Sequence, residues 1–565
     1  MSESSCENRS TLNRRQMLRL STTAGVGAAL PGTAAHAFQD TKAAARKAPA
    51  GMCSTPRTAV ANTQYGKVRG YVEDGVLAFK GVPYGAPTGG ENRWLSAKPP
   101  TPWDGEYPAL TYGANCPQRL HDWSSEQTFL QQWTDGWQSE DMLKVNIWTP
   151  GLTGRRPVMF YIHGGGFTFG SAYELAAQDG TQMARHHDVV SVTVNHRLNI
   201  LGFLDLSEFG GAAYADSVNV GMTDLVAALR WVRDNIANFG GDPDRVMIYG
   251  QSGGGSKVTT LLGMPSARGL IHRASAQSGG GGNPPSGEQS RELARRVIAE
   301  LRVTDMAALQ KVEWARLNEI GNAVIAKMNP PIGAGGPVPA PGATPRAGWG
   351  PTVDGRNVTM RSFFDAAPEV SRNVPMLIGS VSEEGNRMSS RPTEAEWVAT
   401  LTKNYGEPKA AVLVAALKKA HPKKSIRTLS YMCSGGGLNG LGMRNNVTRM
   451  ATMKHKQEGA PVFTWYFTWQ SPMLEDAGAW HTAELAFCFD NTARCSQGTG
   501  NGPEAQALAR KMATAWANFA RTGNPSQPGL PWTPFNPERC PTMVFDTVCR
   551  LVDDPEAEAR KILLS

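Results

Sequence analysis

The sequence contains few cysteines, and none is arranged to hold a metal ion. Only eight of its 565 residues are cysteine, and no Cys-x-x-Cys pair or Cys/His cluster with the spacing of metal ligands occurs. The adjacent histidines His186 and His187 are predicted to point apart on a helix. We therefore expect no metal site in this protein.

Long apolar segments and dense basic segments are also absent. Beyond the N-terminal region, no stretch reaches the roughly 18 uninterrupted apolar residues of a membrane-spanning helix, so we expect no membrane association of the mature protein. The net charge is +8, but the lysines and arginines are scattered and not interleaved with aromatic residues. This pattern argues against nucleic-acid binding. Hydrophobic residues make up 41% and charged residues 19%, which excludes wholesale disorder.

The N-terminus has the pattern of an export signal. Arg14 and Arg15 form a twin-arginine motif, the mildly apolar run Leu20–Leu30 follows, and Ala35-His36-Ala37 offers small residues to a signal peptidase. We predict that residues 1–37 direct export through the twin-arginine machinery and are cleaved near Ala37. The mature protein would then be periplasmic or extracellular. The alternative is a basic, disordered tail.

An exported protein can keep disulfides, but the pairing of its cysteines does not follow from their spacing. Cys488 with Cys495, or Cys540 with Cys549, are close enough in sequence to be considered. Seven cysteines remain after the signal, so at least one stays unpaired unless it bridges two chains. The sequence does not specify an oligomeric state.

From about residue 59, short apolar runs alternate with longer amphipathic stretches. The predicted helices are 222–239 and 504–521, because their apolar residues recur at helical spacing. The predicted buried strands are 157–162, 189–194, 245–249, 374–379 and 461–467. Such alternation predicts an α/β protein with a mostly parallel sheet covered on both faces.

The domain organisation follows from the same pattern. Residues 38–58 are predicted to be a flexible extension, and residues 59–565 a single domain. Within that domain, residues 329–350 are rich in Pro, Gly and Ala and lack periodicity, so we interpret them as a long surface loop or a linker.

Gly250-Gln251-Ser252-Gly253-Gly254 fits the G-x-S-x-G pattern of a nucleophilic serine. A chain with 61 glycines contains such a string by accident fairly often. Here, however, an apolar strand precedes the motif and a small-residue segment able to start a helix follows it. That strand–turn–helix setting is the one that exposes a serine hydroxyl at the end of a strand, so Ser252 is predicted to be a nucleophile.

A second glycine motif, His163-Gly164-Gly165-Gly166-Phe167, follows the predicted strand 157–162. When a serine attacks an ester carbonyl, the oxygen becomes anionic and needs hydrogen-bond donors placed in advance. Glycine lets the backbone approach closely and turn its amides inward. Together the two motifs favour an oxyanion hole over a simple connecting turn, and His163 is expected to pack or hydrogen-bond beside it.

With these motifs the chain resembles the type-B carboxylesterases, which include the cholinesterases and many bacterial esterases. The resemblance runs from about Val60 to the C-terminus. Further segments carry it: Phe79-Lys80-Gly81-Val82-Pro83-Tyr84, Ser139-Glu140-Asp141, Asn146-Ile147-Trp148-Thr149-Pro150, Asn238-Phe239-Gly240-Gly241-Asp242-Pro243, Gln277-Ser278-Gly279 and Ala515-Trp516-Ala517-Asn518-Phe519-Ala520. It implies an α/β-hydrolase fold with large insertions.

The resemblance also implies the other catalytic residues. The triad acid falls on Glu384, with Glu383 as the neighbour to test, and the base falls on His481 within a G-x-x-H-x-x-E-L pattern. The implied oxyanion donors are the amides of Gly165, Gly166 and Gly253. His481 would deprotonate Ser252, and water would later hydrolyse the acyl-enzyme, so no cofactor is expected.

The resemblance implies two buried ion pairs, Arg93 with Glu140 and Arg197 with Asp224. The chain also departs from the family at two positions. The family partner of Cys116 is replaced by Met142, so Cys116 is either free or paired elsewhere. Relatives commonly carry alanine where this chain has Gly253, for which we expect preserved N–H donation and a more flexible turn.

The expected substrates are small to medium, uncharged alkyl or aryl esters. Phe167 and Phe169 on the oxyanion loop, and Trp480 before His481, are candidate pocket walls, although core packing is an equal alternative. An amidase or carbamate hydrolase would share the triad. A lipase would require an apolar lid, of which the sequence has no clear sign. A non-catalytic binding protein related to the cholinesterases is disfavoured because all three triad residues are present.

Overall fold

The computed structural model describes Ser54 and residues 59–120, 126–329, 346–385, 391–433 and 440–565. The predicted export signal and most of the predicted loop 329–350 lie outside the described residues. All described residues belong to one compact unit, Pro49–Ser565. Within them, no helix is long and apolar enough to cross a membrane.

The described strands form an eleven-stranded mixed sheet and a separate three-stranded sheet. In chain order they are β1 (Val60–Thr63), β2 (Gly66–Arg69), β3 (Tyr71–Glu73), β4 (Val76–Pro83), β5 (Glu106–Pro108), β6 (Lys144–Thr149), β7 (Arg156–Ile162), β8 (Val190–Val194), β9 (Gly241–Gln251), β10 (Arg273–Gln277), β11 (Met376–Val381), β12 (Val462–Phe467), β13 (Pro541–Phe545) and β14 (Arg550–Asp553). The large sheet has the order β14-β13-β12-β11-β10-β9-β7-β8-β6-β4-β3, and the small sheet has the order β1-β2-β5.

The centre of the large sheet is parallel. From β8 through β7, β9, β10, β11 and β12 to β13, every neighbouring pair runs in the same direction. The outer pairs, β13 with β14 and the series β8-β6-β4-β3, are antiparallel. The predicted mostly parallel sheet is therefore confirmed, and its parallel strands bring their carboxyl ends to one edge, where ligand sites of such sheets form.

The described helices connect and cover these strands. They are α1 (Glu126–Gln131), α2 (Thr181–His187), α3 (Asn199–Phe203), α4 (Ser207–Gly210), α5 (Val220–Asn235), α6 (Gly253–Leu262), α7 (Gly287–Leu301), α8 (Met306–Gln310), α9 (Trp314–Met328), α10 (Glu394–Tyr405), α11 (Glu407–Ala420), α12 (Ile426–Cys433), α13 (Gly440–His455), α14 (Leu485–Cys488), α15 (Ser496–Thr499), α16 (Pro503–Thr522) and α17 (Ala557–Leu564). Short 3₁₀ turns lie at 90–92, 176–178, 212–214, 217–219, 236–239, 265–267 and 369–371.

Side chains of the central strands alternate between two apolar layers, as period-two strands require. In β7, Val158, Phe160 and Ile162 pack with α5 in one layer. Met159 and Tyr161 point to the opposite face and pack with α16. Because both faces are covered, the strands are apolar throughout, which is why they appear in the sequence as continuous apolar runs.

Both ion pairs implied by the family resemblance are present. Arg93 and Glu140 form a two-pronged pair with N–O distances of 2.8 and 2.5 Å. Arg197 and Asp224 form another at 2.8 and 2.6 Å, and both side chains are buried. Removing one partner of the Arg197–Asp224 pair would leave a buried charge uncompensated, at a cost of about 3–5 kcal/mol.

Two expectations about histidine and cysteine can be compared with the structure. The prediction that His186 and His187 point apart is wrong, because both rings reach the Oδ2 atom of Asp490, at 2.7 and 3.3 Å. Both lie in the last turn of α2, and neighbouring residues of a helix with 3.6 residues per turn are only about 100° apart, so one carboxylate can meet both rings. Among the described residues, Cys116, Cys488, Cys495 and Cys540 are free and buried, and Cys549 is free and partly exposed.

Candidate active site

Ser252 occupies a sharp turn between the end of β9 and the start of α6. Its φ of 59° and ψ of −122° lie in a region that non-glycine residues rarely adopt. The surrounding backbone holds this conformation: the Ser252 amide donates to the Gln277 carbonyl at 2.8 Å, and its carbonyl accepts from the Ser256 amide at 3.1 Å. The strained turn lifts the side chain away from the strand, as a nucleophile elbow does.

The flanking glycines are required by close packing against the end of β7. A Cβ atom on Gly250 would lie 2.6 Å from the Ile162 carbonyl oxygen, and one on Gly254 would lie 2.1 Å from the same atom. Both distances are far shorter than a carbon–oxygen contact allows. The glycines of the G-x-S-x-G motif therefore let the elbow sit directly beside the strand that leads into the His163-Gly164-Gly165-Gly166 loop.

Glu384 lies just after β11, and its carboxylate contacts the imidazole of His481. Its Oε2 atom is 2.5 Å from Nδ1 of His481, and its Oε1 atom accepts from the Val381 amide at 3.1 Å. The Glu384 side chain is buried. A carboxylate on Nδ1 holds the imidazole in the tautomer that leaves Nε2 free to accept a proton.

Glu383 is held by other partners. Its carboxylate pairs with Lys424 and accepts from the Ser382 hydroxyl. It also accepts from the Ala479 amide at 2.7 Å, and the Glu383 amide donates to the Ala479 carbonyl at 3.2 Å. Glu383 therefore ties the loop after β11 to the loop that carries His481, and only Glu384 reaches the imidazole.

The pKa of His481 is raised above its ordinary value. Burial disfavours the imidazolium, but the Glu384 carboxylate outweighs that effect through its charge and hydrogen bond, with a further contribution from Glu484. The Glu384 carboxylate therefore stabilises the protonated imidazole of His481, an arrangement that suits a residue accepting a proton from a serine.

The imidazole of His481 lies beside the residue that precedes Ser252. Gln251, the residue before Ser252, has its Nε2 atom 3.2 Å from Nε2 of His481 and 3.4 Å from Nδ1. In the described residues no hydrogen bond joins the Ser252 hydroxyl to the imidazole in this conformation. Catalytic hydrogen bonds are commonly long without substrate and shorten when it binds.

The glycine loop after β7 lies against the start of α6. Gly165 and Gly166 have φ values of 76° and 64°, which glycine adopts without penalty. A Cβ atom on Gly253 would lie 2.5 Å from the Gly166 amide nitrogen and 2.1 Å from its carbonyl oxygen. The absence of a side chain at Gly253 therefore lets this loop lie directly against the turn at Ser252. Among the described atoms, the amides of Gly165 and Gly166 have no hydrogen-bond acceptor.

Three aromatic residues predicted to border the pocket have different surroundings. Phe167 and Phe169 are partly exposed on the glycine loop. Their rings pack edge-on against Phe203, at 5.4 Å, and Trp133, at 6.2 Å. Trp480 is only 4% exposed and belongs to the apolar layer around α16. The two phenylalanines are thus better placed to meet a ligand than Trp480.

The sequence motifs included Glu484 but assigned it no role. It is fully buried, accepts from Nε2 of Gln277 at 3.2 Å, and its Oε2 atom has no partner among the described residues. Burial, together with the nearby charge of Glu384, raises its pKa to about 7. The spacing H-x-x-E marks the residue in the sequence, but its electrostatic effect on His481 and Glu384 appears only in three dimensions.

Comparison with known proteins agrees with this geometry. The model of the carboxylesterase family matches residues 57–558. The chain is 31% identical to the para-nitrobenzyl esterase of Bacillus subtilis (strain 168), over 89% of this chain and 98% of that protein. It is also 31% identical to the phenmedipham hydrolase of Pseudarthrobacter oxydans, over 89% and 97% of the two chains.

Solved structures show the same similarity in three dimensions. An esterase from Clostridium hathewayi, described as hydrolysing aliphatic aromatic polyesters, is 33% identical with a TM-score of 0.76, covering 90% of this chain and 99% of that one. A structure of the PNB esterase has a TM-score of 0.72 at 30% identity, covering 89% and 99%. The chain therefore belongs to the carboxylesterase family and is a carboxylic ester hydrolase with the α/β-hydrolase fold.

Proposed function

We propose that this esterase works through Ser252 as nucleophile, His481 as general base and acid, and Glu384 as the acid that orients His481. The observation that carries the proposal is the 2.5 Å contact between Glu384 and Nδ1 of His481, whose ring lies beside Gln251, the residue before the strained turn at Ser252. His481 takes the Ser252 proton during attack on the ester carbonyl and returns it to the leaving alcohol. Water then attacks the acyl-enzyme, again with His481 as base.

The amides of Gly165, Gly166 and Gly253 are the proposed donors to the oxyanion. The first two have no acceptor among the described residues, and the third is the first amide of α6, which has no partner within the helix. The close approach of Gly166 to Gly253 supports a common target for their amides. Donors already in place stabilise the negative oxygen without reorganising during the reaction.

The proposed substrates are small to medium, uncharged alkyl or aryl esters. Phe167 and Phe169 offer apolar, partly exposed surface directly on the glycine loop, next to the proposed oxyanion donors. Apolar walls of this kind favour neutral groups, because a charged group would lose hydration without gaining a partner. The names of two relatives, a para-nitrobenzyl esterase and an esterase acting on aliphatic aromatic polyesters, agree with aryl esters as substrates.

A panel of nitrophenyl esters of increasing acyl length, assayed beside the matching nitroanilides and nitrophenyl carbamates, tests this proposal. We expect the highest kcat/KM with short to medium acyl esters and much slower cleavage of the anilides and carbamates. Acetylcholine and its neutral isostere, 3,3-dimethylbutyl acetate, provide a matched pair for charge, and the neutral ester should react faster. Faster turnover of an anilide or carbamate than of its ester would contradict the proposed bond preference.

We further propose that the precursor is exported by the twin-arginine route and that the mature esterase is periplasmic or extracellular. The twin-arginine motif at Arg14 and Arg15, the apolar run after it and the small residues around Ala37 support this proposal, although all lie outside the described residues. Replacing both arginines with lysine should leave uncleaved precursor in the cytoplasm, as cell fractionation and immunoblotting would detect. Unchanged export of that variant would indicate another route.

A further inference from the structure

Lys257, a residue to which the mechanism above gives no role, lies buried beneath the glycine loop. It is in α6, five residues after Ser252, and is 0% exposed. Its Nζ atom donates to the carbonyl oxygens of His163 at 3.0 Å and Gly164 at 3.3 Å. No carboxylate among the described residues forms an ion pair with Lys257. Burying an amine costs free energy, so its hydrogen bonds to two loop carbonyls need a structural or functional explanation.

These hydrogen bonds determine which way the loop amides face. In a trans peptide the C=O and N–H groups point in opposite directions. The Gly164 carbonyl accepts from Lys257 and also lies 3.1 Å from Nδ1 of His163. The N–H of Gly165 belongs to the same peptide plane, so it must point away from Lys257. The next carbonyl, that of Gly165, accepts from the amides of Thr168 and Phe169, both at 3.2 Å, which turns the Gly166 amide in the same manner.

The glycines alone do not determine this orientation. A glycine adopts positive and negative φ with similar ease, so a peptide between two glycines turns over at little cost. If the Gly164–Gly165 peptide turned over, a carbonyl oxygen would replace an amide donor opposite the reacting ester. Loop residues contribute contacts of their own, from His163 to the Gly164 carbonyl and from Thr168 and Phe169 to the Gly165 carbonyl. Lys257 adds a contact from outside the loop, which ties the Gly164 carbonyl to the helix that begins after Ser252.

We propose that Lys257 is a positioning residue for the oxyanion hole: it holds the His163 and Gly164 carbonyls so that the Gly165 amide faces the substrate. The inference deepens the proposed function and rests on it. Lys257 does not touch the substrate in this account. It acts through the peptide planes of the loop, and it couples their orientation to the helix that carries Ser252.

Lys257 can form its hydrogen bonds to the His163 and Gly164 carbonyls whether its amine is charged or neutral. Burial lowers the pKa of Lys257 to about 7, against the opposing effect of Glu174, whose own pKa burial raises to about 7. His163 and His196 also face the amine, and burial holds their pKa values well below the ordinary value, which keeps both rings neutral. A neutral amine still has two N–H groups, one for each carbonyl.

The chain offers a closely matched control lysine. Lys454 in α13 is 1% exposed, and its Nζ atom donates to the carbonyls of Ser371 at 3.0 Å and Arg372 at 2.6 Å. It thus holds two consecutive backbone carbonyls, as Lys257 does, but on a segment outside the active site. Lys257→Met and Lys454→Met both remove a buried amine and keep an unbranched chain up to the position of the lysine Cε atom.

We expect both substitutions to lower the melting temperature, but only Lys257→Met to impair catalysis in the folded protein. For that variant kcat with a nitrophenyl ester should fall about 10- to 100-fold while KM changes little, since removing an oxyanion donor outright costs about 100- to 1000-fold. Affinity for an aryl trifluoromethyl ketone, which forms an oxyanion on addition of the serine, should fall by a similar factor. Affinity for a non-reactive alcohol of the same shape should be unchanged.

The possible outcomes separate this inference from the proposed function. A wild-type protein that does not react with the trifluoromethyl ketone would refute the proposed mechanism. A reactive wild type alongside a folded Lys257→Met variant with unchanged kcat and ketone affinity would refute the positioning role alone, as would equal losses in the Lys454→Met variant. If Lys257→Met does not fold, Lys257→Gln, which keeps a shorter donor, decides the matter: an intermediate loss of kcat supports the role, and full activity overturns it.

Discussion

Replacing Ser252 with alanine is expected to reduce kcat by about a million-fold, to the rate that binding and the oxyanion hole alone provide. The substitution removes the only atom that forms the acyl-enzyme in the proposed mechanism. The backbone around it should stay in place, because its hydrogen bonds to Gln277 and Ser256 come from main-chain atoms. Steady-state kinetics with a nitrophenyl ester, together with the melting temperature, would measure both effects.

A matched control for this change is Ser256→Ala, one turn further along α6. The Ser256 hydroxyl accepts from the Gly280 amide at 3.2 Å and lies outside the proposed triad. It should lose little activity. In the wild type, a fluorophosphonate should attach to the peptide that contains Ser252, as mass spectrometry would identify. Label on another residue, or near-normal turnover by Ser252→Ala, would refute the assignment of the nucleophile.

The central part of the fold was predictable because each buried strand corresponds to a short apolar run in the sequence. All five predicted strands are present, yet their ends differ. The strand predicted at 245–249 runs from Gly241 to Gln251, since Gly241 also pairs with Arg156 beyond an irregularity in the register. Local composition does not encode such long-range pairing. The order of the strands in the sheet likewise depends on tertiary contacts and does not follow from the spacing of residues in the sequence.

The candidate site was predictable wherever a motif fixes local geometry. G-x-S-x-G predicts an elbow because the glycines permit close backbone packing, and the contacts of Gly250 and Gly254 with Ile162 supply that reason. Lys257 belongs to none of the motifs. Its proposed role could not be predicted, because it depends on contact between α6 and a loop about ninety residues earlier in the chain. An ordinary lysine in a helix gives no sign in the sequence that it is fully buried.

The adjacent residues Glu383 and Glu384 show most directly what the sequence could not predict. Family resemblance favoured Glu384 but left Glu383 as a candidate, since both follow the same strand. Successive side chains at the end of a strand point to opposite sides, so only one of the two can meet His481. The structure gives that contact to Glu384 and turns Glu383 toward Lys424 and Ala479. The choice between them has a measurable consequence.

Glu384→Gln should lower kcat about 10 000-fold, the scale seen when the acid of such a triad loses its charge and the imidazole adopts the wrong tautomer. It should also move the acid limb of the pH profile. His481 acts as a base only when neutral, so activity falls as pH drops through its pKa. In the wild type the Glu384 carboxylate raises that pKa above the reference value of ~6.5, against the effect of burial. Without the carboxylate, burial remains, and the midpoint of the acid limb should move to lower pH.

Glu383→Gln is the control that separates the two carboxylates. It should destabilise the protein, because it breaks the ion pair with Lys424 and weakens the link to Ala479, while leaving the charge next to His481 in place. We therefore expect a lower melting temperature, a kcat much closer to the wild type than that of Glu384→Gln, and an acid limb at the wild-type midpoint. The reverse pattern, a larger loss of kcat and a shifted acid limb in Glu383→Gln, would show that Glu383 and not Glu384 is the acid that orients His481. Because the two residues share a strand end and a buried environment, general damage to the fold would affect both variants, whereas loss of the carboxylate charge beside Nδ1 of His481 occurs only in Glu384→Gln.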